Sequence, residues 1–599
     1  MKRIVWLVMS FVMVLSLVVM SCGETEDSSG TVKQEDTGQT VTIGEEEGKE
    51  DKPEKEVPEG LLPPDQPKYG GTIVNIGADP MGWDHYLAMF TGTSFCEDEL
   101  MSGDWAKGPA GTGEMSWKYG NNGRTDVLAG NAAESWEFIG NDKIHFHIRP
   151  GVYFWDKPPA NGRELTAEDV AWNIERQWTD GGMAFLPRTN APPERLISAE
   201  AIDKYTVELT IPPHVQGLHL LLNGERVGLH APEVVEQFGD YSDWKNIVST
   251  GPFILTDYIP ASSITYEKHP NYWQEDPLNP GNQLPYIDGV TSLIIADLST
   301  RLAAFRTGKL DYMVAVTWED QEQIVNDSPD IMWDTSFGHG AIIAMRCDKP
   351  ELPFYDVKVR RAMNLAIDRE ALVRDYYNGN AELMGWPYYP IPDHSQLYEP
   401  LEDLSEGAQE VHTYNPQKAR ELLAEAGYPD GFKTQIDLST ASADFLSIIK
   451  EYFAAIGVDM ALNLHEAGVF VGINRGRKHE EMLYKETKMW MFSWKMHEVR
   501  PESMDNLSFW GSPETREVYN NLNLHLGKDD AAWMAELKTV TSHMLEEAPY
   551  VYLPAPIFYD GWWPWMQNYF GAHNLGYFTP GIFLKFVWVD QDMKEKMGY

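Results

Sequence analysis

Between Ile144 and Trp178 the spacing of apolar positions changes from a period of two to one near 3.6. Ile144, Phe146 and Ile148 alternate with His145, His147 and Arg149, the pattern of a strand with one buried face. Pro150-Gly151 turns the chain, and Val152 and Phe154 begin a second short apolar run. Thr166 then stands as an N-cap, with Asp169 at the third helical position and Leu165 placed to staple against Val170. Ala171, Ile174 and Trp178 share one face of the helix that follows. Taken alone, this is an ordinary buried strand–turn–helix unit.

The same reading extends along the chain. Gly70-Gly71 leads into a β-branched strand from Thr72 to Ile76, followed by Asp79-Pro80 and an aromatic loop from Trp83 to Phe90. Cys96 to Gly123, rich in Gly and Trp, predicts no regular structure. Tyr205, Val207, Leu209 and Ile211 alternate as a strand. The turn Ser249–Pro252 feeds a strand at Phe253–Leu255, which pairs with Ser263–Tyr266 in a hairpin ending at His269–Trp273. A strand is expected around Leu293–Ala296, then a helix capped by Ser299 or Thr300 that stops near Gly308. Asp356 to Tyr377 reads as two consecutive helices with Asp356 and Asp368 as N-caps. Asn415 caps a helix with Pro416 at its first position and the stripe Ala419, Leu422, Leu423 and Ala426, closed by Gly427 and Pro429.

Several of these segments carry specific wording. They include R-P-G-V-Y-F-W-D (149–156) with L-T-A-E-D-V (165–170), S-T-G-P-F (249–253) with H-P-N-Y-W (269–273), and D-V-K-V-R-R-A-M-N-L-A-I-D (356–368). Together with Tyr69–Gly77, Ser299–Asp311 and Tyr414–Pro429, they resemble, in order, the extracellular solute-binding proteins of the peptide/nickel class (family 5) that feed ABC importers. The resemblance implies a two-lobed α/β fold of the periplasmic-binding-protein type, in its large form with an extra small insert. Lobe I is expected over 61–315 with the insert at about 85–200, lobe II over 316–550, and a return to lobe I over 551–599. It also implies capture of a solute in the cleft by lobe closure, hand-over to ABC permease subunits, and no chemistry on the solute.

The N-terminus adds a location. Lys2 and Arg3 precede an apolar run from Ile4 to Met20, and Val19-Met20-Ser21-Cys22 looks like a bacterial lipobox, with Val19 where leucine is usual. Residues 1–22 are read as a lipoprotein signal, with Cys22 the lipidated residue and the membrane a partner through it. Residues 23–60 hold thirteen Asp/Glu against four Lys/Arg and few apolar side chains, the composition of a disordered acidic tether. The expected place is outside the cytoplasmic membrane of a prokaryote. The whole chain of 599 residues carries a formal charge of −43, which repels phosphate backbones and argues against nucleic acid as a partner. A monomer is expected.

No phosphate loop, H-E-x-x-H or G-x-S-x-G occurs, so no cofactor, metal or catalytic residue is assigned. Cys96 and Cys347 are compatible with one disulfide or with two free thiols. The dipeptides at His465, His479 and His497, each followed by Glu, lack a second histidine at helical spacing and read as solvated polar residues.

Specificity turns on where the wording departs from the family. Its peptide binders carry G-W-x-x-D-x-x-D-P, whose first aspartate pairs with the peptide's amino group. The matching stretch here is Ser493–Pro501, with His497 and Arg500 at the two aspartate positions. A cation there suits carboxylate or hydroxyl groups better than an ammonium; Arg500 in a structural ion pair is the alternative. Among 21 Trp and their aromatic neighbours, Trp83, Trp386, Tyr388, Phe492 and Trp494 are candidates to line the cleft, most other aromatics being core. The candidate ligand residues are therefore Trp83, Trp386, Tyr388, Phe492, Trp494, His497 and Arg500, and the candidate solutes oligopeptides and oligosaccharides. A surface hydrolase and an adhesive lipoprotein remain the readings from other classes. A hydrolase turns over model substrates, whereas an adhesin neither turns over nor closes on a small solute.

Overall fold

The structure is a computed structural model describing residues 66–84, 92–120, 123–179, 186, 192–338, 340–487, 497–576 and 581–599. Cys22, Phe492 and Trp494, with the signal and the whole of the tether, lie outside the described residues.

The first strand, β1 (Thr72–Gly77), waits for a partner more than two hundred residues away. An antiparallel sheet comes first: β2 (Ala133–Ile139), β3 (Lys143–Ile148), β4 (Ser198–Asp203) and β5 (Thr206–Thr210), in the order β2-β3-β5-β4. The alternation expected around Ile144 is present: Ile144, Phe146 and Ile148 are buried, and the residues between them are partly exposed. Helix α1 (Ala167–Trp178) covers this sheet. Its start is as expected, with the Thr166 backbone N–H and hydroxyl each donating to the Asp169 carboxylate at 2.9 Å. All nine residues of α2 (Gln216–Gly224) are buried.

The hairpin β6 (Phe253–Ile259) and β7 (Ser263–Lys268) then brings in β8 (Gly289–Ile294), giving the sheet β1-β8-β7-β6. Its β1–β8 pair is parallel, Thr72 opposite Gly289 and Gly77 opposite Ile294. Helix α3 (Leu298–Arg306) follows, capped by Asp297 rather than by Ser299 or Thr300. The Asp297 carboxylate accepts both the backbone N–H (2.8 Å) and the hydroxyl (2.6 Å) of Thr300, so the helix begins before the residues expected to cap it.

From here the chain runs through β9 (Tyr312–Val316) and β10 (Met332–Phe337) into β11 (Gly340–Met345). Helix α4 (Val357–Leu365) is capped by Asp356 as expected, and a short helical turn capped by Asp368 continues as a π-helical turn over Leu372–Tyr376. Helix α5 (Pro416–Glu425) has Asn415 as its cap. The strands β12 (Phe432–Ser439), β13 (Val458–His465) and β14 (Met482–Thr487) precede α6 (Pro513–His525) and α7 (Asp530–Glu547). Then β15 (Tyr550–Leu553) and β16 (Ala555–Trp562) lead back. These build a five-stranded sheet, β13-β12-β14-β11-β15, and a four-stranded one in which β16 pairs with β9, β10 and the short strand Ala381–Glu382.

At two adjacent places a strand of one sheet is followed directly by a strand of the other. Phe337 of β10 faces Ile557 of β16, and Ala341 of β11 faces Leu553 of β15. Packing there is tight: a Cβ at Gly340 would lie 1.9 Å from the Gly385 carbonyl oxygen. Both faces of β11 are covered, which is why Gly-Ala-Ile-Ile-Ala-Met is apolar throughout rather than alternating. Ile342 and Ala344 join the larger hydrophobic cluster, while Ala341, Ile343 and Met345 join a second one with Val359, Leu423, Leu446 and Phe453.

Two local expectations change. The Gly/Trp-rich stretch contains a short strand, Met101–Gly103, and a helical turn, Trp105–Lys107; Trp105 and Trp117 are buried. It is also tied down far away, since the Ser116 backbone N–H and hydroxyl both donate to Asp393 at 2.7 and 2.8 Å. His479 and His497, expected in solvent, are buried; His479 shares a 2.8 Å hydrogen bond with the Leu507 carbonyl. Cys96 and Cys347 are free thiols. Among the described residues no helix is long and apolar enough to cross a membrane.

Candidate functional site

A cavity of about 470 Å³ opens at the carboxyl ends of the parallel strands β1 and β8, the end at which α/β sheets commonly hold ligands. Asn75–Gly77, Asp79 and Pro80 form one side, Ser94, Phe95 and Tyr266 another, and Tyr312–Val314, His573 and Phe583 close it. The volume lies in the range of small-solute pockets.

Most polar atoms on this wall are engaged by one another. Asn75 Nδ2 donates to the Tyr312 hydroxyl at 3.0 Å, and the Ser292 hydroxyl donates to Asn75 Oδ1 at 2.7 Å. The Tyr266 hydroxyl turns away to the Gly92 carbonyl at 2.7 Å. What these rings present to the cavity is therefore largely their apolar faces, with Phe95 packed on Tyr266 at 4.9 Å between centroids. Charge comes from Arg301 on α3 and from Asp79. Asp79 Oδ1 accepts from the Tyr258 hydroxyl and the Ala261 N–H, both at 2.9 Å. His573 Nδ1 lies 2.9 Å from the Gly571 carbonyl oxygen.

The residues singled out in the sequence are distributed differently. Trp83 is buried edge-on to Tyr258 at 5.0 Å, behind Pro80 and Gly92, which do line the cavity. Trp386 is fully buried, stacks on Tyr552 at 5.2 Å and donates its indole N–H to Glu498 at 3.2 Å. The Tyr388 hydroxyl is 3.4 Å from that of Thr541, also buried. His497 and Arg500 lie together: Arg500 donates from Nη2 to His497 Nδ1 at 2.7 Å and from Nη1 to both Glu194 oxygens at 2.7 Å. Its guanidinium lies over the Tyr519 ring at 4.1 Å. Burial, and then the neighbouring Arg500 charge, hold His497 well below the usual imidazole range. Loss of hydration pushes the nearby Asp505 carboxyl up to about 6.

The structure thus brings Trp386, Glu498, His497, Arg500 and Glu194 into one buried polar group, and places Trp83 beside the cavity. Glu194, Asp79, Arg301 and His573 were not anticipated. Glu194 is 306 positions from Arg500, so no local spacing marks it. Arg301 stands within a recognised segment, but nothing in its wording separates a wall residue from an exposed helical one. Among the described residues no group of three or more His, Cys, Asp or Glu is placed to hold a metal ion.

Comparison with known proteins gives consistent results. The profile described as "Bacterial extracellular solute-binding proteins, family 5 Middle" matches residues 128–513. Heme-binding protein A of Haemophilus influenzae is 28% identical over 327 residues, spanning 52% of this chain and 56% of its own length. Glutathione-binding protein GsiB of Salmonella typhimurium is 27% identical over 368 residues, spanning 59% of this chain and 65% of its own. The matched region thus covers less than two thirds of either relative. The periplasmic binding protein DppA of Helicobacter pylori, solved with the peptide STSA, superposes with a TM-score of 0.67 at 23% identity, covering 88% of this chain and 99% of its own.

Proposed function

The chain belongs to family 5 of the bacterial extracellular solute-binding proteins, and from that premise we propose that it captures an extracellular solute and delivers it, unaltered, to the permease of an ABC importer. The observation that carries this reading is the cavity at the carboxyl ends of β1 and β8, built from apolar ring faces with a few charged groups. Its wall draws on residues from Asn75 to Phe583, so a solute there touches segments that the chain brings together from far apart.

Solute capture needs two states with different affinity. The paired crossings from β10 to β11 and from β15 to β16 are the natural hinge, because two adjacent strands can bend together without breaking either sheet. On this reading β11 to β15 form the core of lobe II. Cys22 carries the lipid and residues 23–60 are the tether that holds a monomeric binding protein at the outer face of the cytoplasmic membrane.

The favoured solute is a peptide or peptide-like molecule. Glutathione is itself a tripeptide, and the superposed DppA was solved with a tetrapeptide. Oligosaccharide, suggested by the aromatic content, is the second class. A third follows from the heme named for one relative; His573, which lines the cavity with its Nδ1 held 2.9 Å from the Gly571 carbonyl oxygen, is the residue that would meet it.

Native mass spectrometry of the protein purified from its own cells tests the proposal. A solute adduct released intact on denaturation is expected, and its mass separates the three classes. A protein that carries no adduct and gains no thermal stability from any peptide, oligosaccharide or heme contradicts it.

A further inference from the structure

We infer that the Gly/Trp-rich stretch, with the residues just after it, is a strap across the hinge that limits how far the two halves turn. This rests on the reading that the crossings from β10 to β11 and from β15 to β16 are that hinge. Residues 116–119 and 125–126 carry the strap, and none of them lines the cavity. One end is fastened to β10, just before its crossing. Lys118 Nζ donates to Asp334 Oδ2 at 2.5 Å and to the Thr335 carbonyl at 2.7 Å. Only 9% of the Lys118 side chain is exposed, so this charge-assisted pair is held out of water. Phe337, the last residue of β10, donates its backbone N–H to the Tyr119 hydroxyl at 2.6 Å.

The other fastenings lie beyond the crossing. Ser116 bonds Asp393 through its N–H and hydroxyl, and Asp393 follows Trp386 and Tyr388, which pack on Tyr552 of β15 and Thr541 of α7. Asp530 is the first residue of α7, but Asp529 caps that helix, which leaves the Asp530 carboxylate to reach outward. It accepts the Thr125 N–H at 2.9 Å, the Thr125 hydroxyl at 3.0 Å and the Asp126 N–H at 3.2 Å. Gly123, at φ +81°, lets the chain pass so close that a Cβ there would lie 2.8 Å from the Trp533 ring. The far end of α7 is fixed to the five-stranded sheet and α4: the Tyr552 hydroxyl donates to the Met544 carbonyl and Arg360 Nε to that of Glu547, both at 2.9 Å. Two adjacent strands alone leave a hinge free to bend. A segment bonded to β10 on one side, and to Asp393 and α7 on the other, cannot stay bonded at both ends through a large rotation.

The test is hydrogen exchange, read by mass spectrometry on the solute-free protein, comparing wild type with Lys118→Met at one end of the strap and Asp530→Ala at the other. The deciding amides are those of 551–557, the second crossing, where neither substituted side chain bonds among the described residues. They are expected to exchange roughly tenfold faster in each variant, the loss of a charged hydrogen bond appearing as more frequent opening of the hinge. Peptides from β12 and β13 should keep their wild-type rates. Faster exchange confined to the strap and the segments it bonds, with 551–557 unchanged, means local packing only and overturns the inference. An equal rise in β12 and β13 marks general loss of stability and overturns it too. If Lys118→Met does not fold, Asp530→Ala, whose partners are already half in solvent, decides alone. Solute capture is judged separately: faster exchange at 551–557 in a protein that yields no adduct leaves the strap standing and capture failing, and unchanged exchange in one that yields an adduct does the reverse.

Discussion

At the scale of single residues, the most consequential pair is Arg500 with Glu194. Arg500 is 1% exposed, bonded through Nη1 to both carboxylate oxygens and laid over Tyr519. Removing one partner of such a pair strands the other charge in a poorly hydrated place. Arg500→Ala is expected to lower the unfolding free energy by roughly 3–5 kcal/mol, measured by chemical denaturation without solute. The Arg500→Ala/Glu194→Ala double variant should cost less than the sum of the singles. Small, additive losses would contradict the pairing. The contrast between this pair and the helix caps shows what can be read from order alone. Thr166, Asp356, Asp368 and Asn415 cap helices within three residues of themselves, so their partners are visible in the string. Asp297 was missed because Ser299 and Thr300 offered equally good local caps, and only the path of β8 decides among them. Glu194, like the burial of His479 and His497, depends on chain segments that no spacing connects.

At the scale of elements, the strands that cross between sheets set the mechanical design. The apolar run of β11 was not singled out in the sequence, because it shows neither alternation nor a helical stripe, and its division between two cores requires knowing that β14 and β15 flank it. Gly340 sits at the crossing, where a side chain has no room beside the Gly385 carbonyl. Gly340→Ala therefore forces a backbone shift between β11 and the loop before Trp386, with a cost of about 1–3 kcal/mol or more. Thermal melting should show a clear drop; wild-type stability would mean that the crossing is looser than described. The family wording located most of these elements because their caps and turns are local. It could not locate the cavity wall, which is assembled from β1, β7, β8, β9 and the segment around Phe583.

At the scale of the whole molecule, two hydrophobic clusters share one five-stranded sheet, and two neighbouring strands of that sheet, β11 and β15, adjoin β10 and β16 of the next sheet directly along the chain. On the proposed reading this body opens and closes while each core stays packed, and a solute that bridges distant segments favours the closed form by its difference in affinity for the two states. The acidic surface and the proposed lipid tether keep this body soluble yet near the membrane. Closure is the claim on which capture and delivery both depend, and small-angle X-ray scattering with and without the solute recovered from the native protein tests it most directly. A smaller radius of gyration at saturating solute is predicted; an unchanged scattering profile with the solute demonstrably bound would contradict the account.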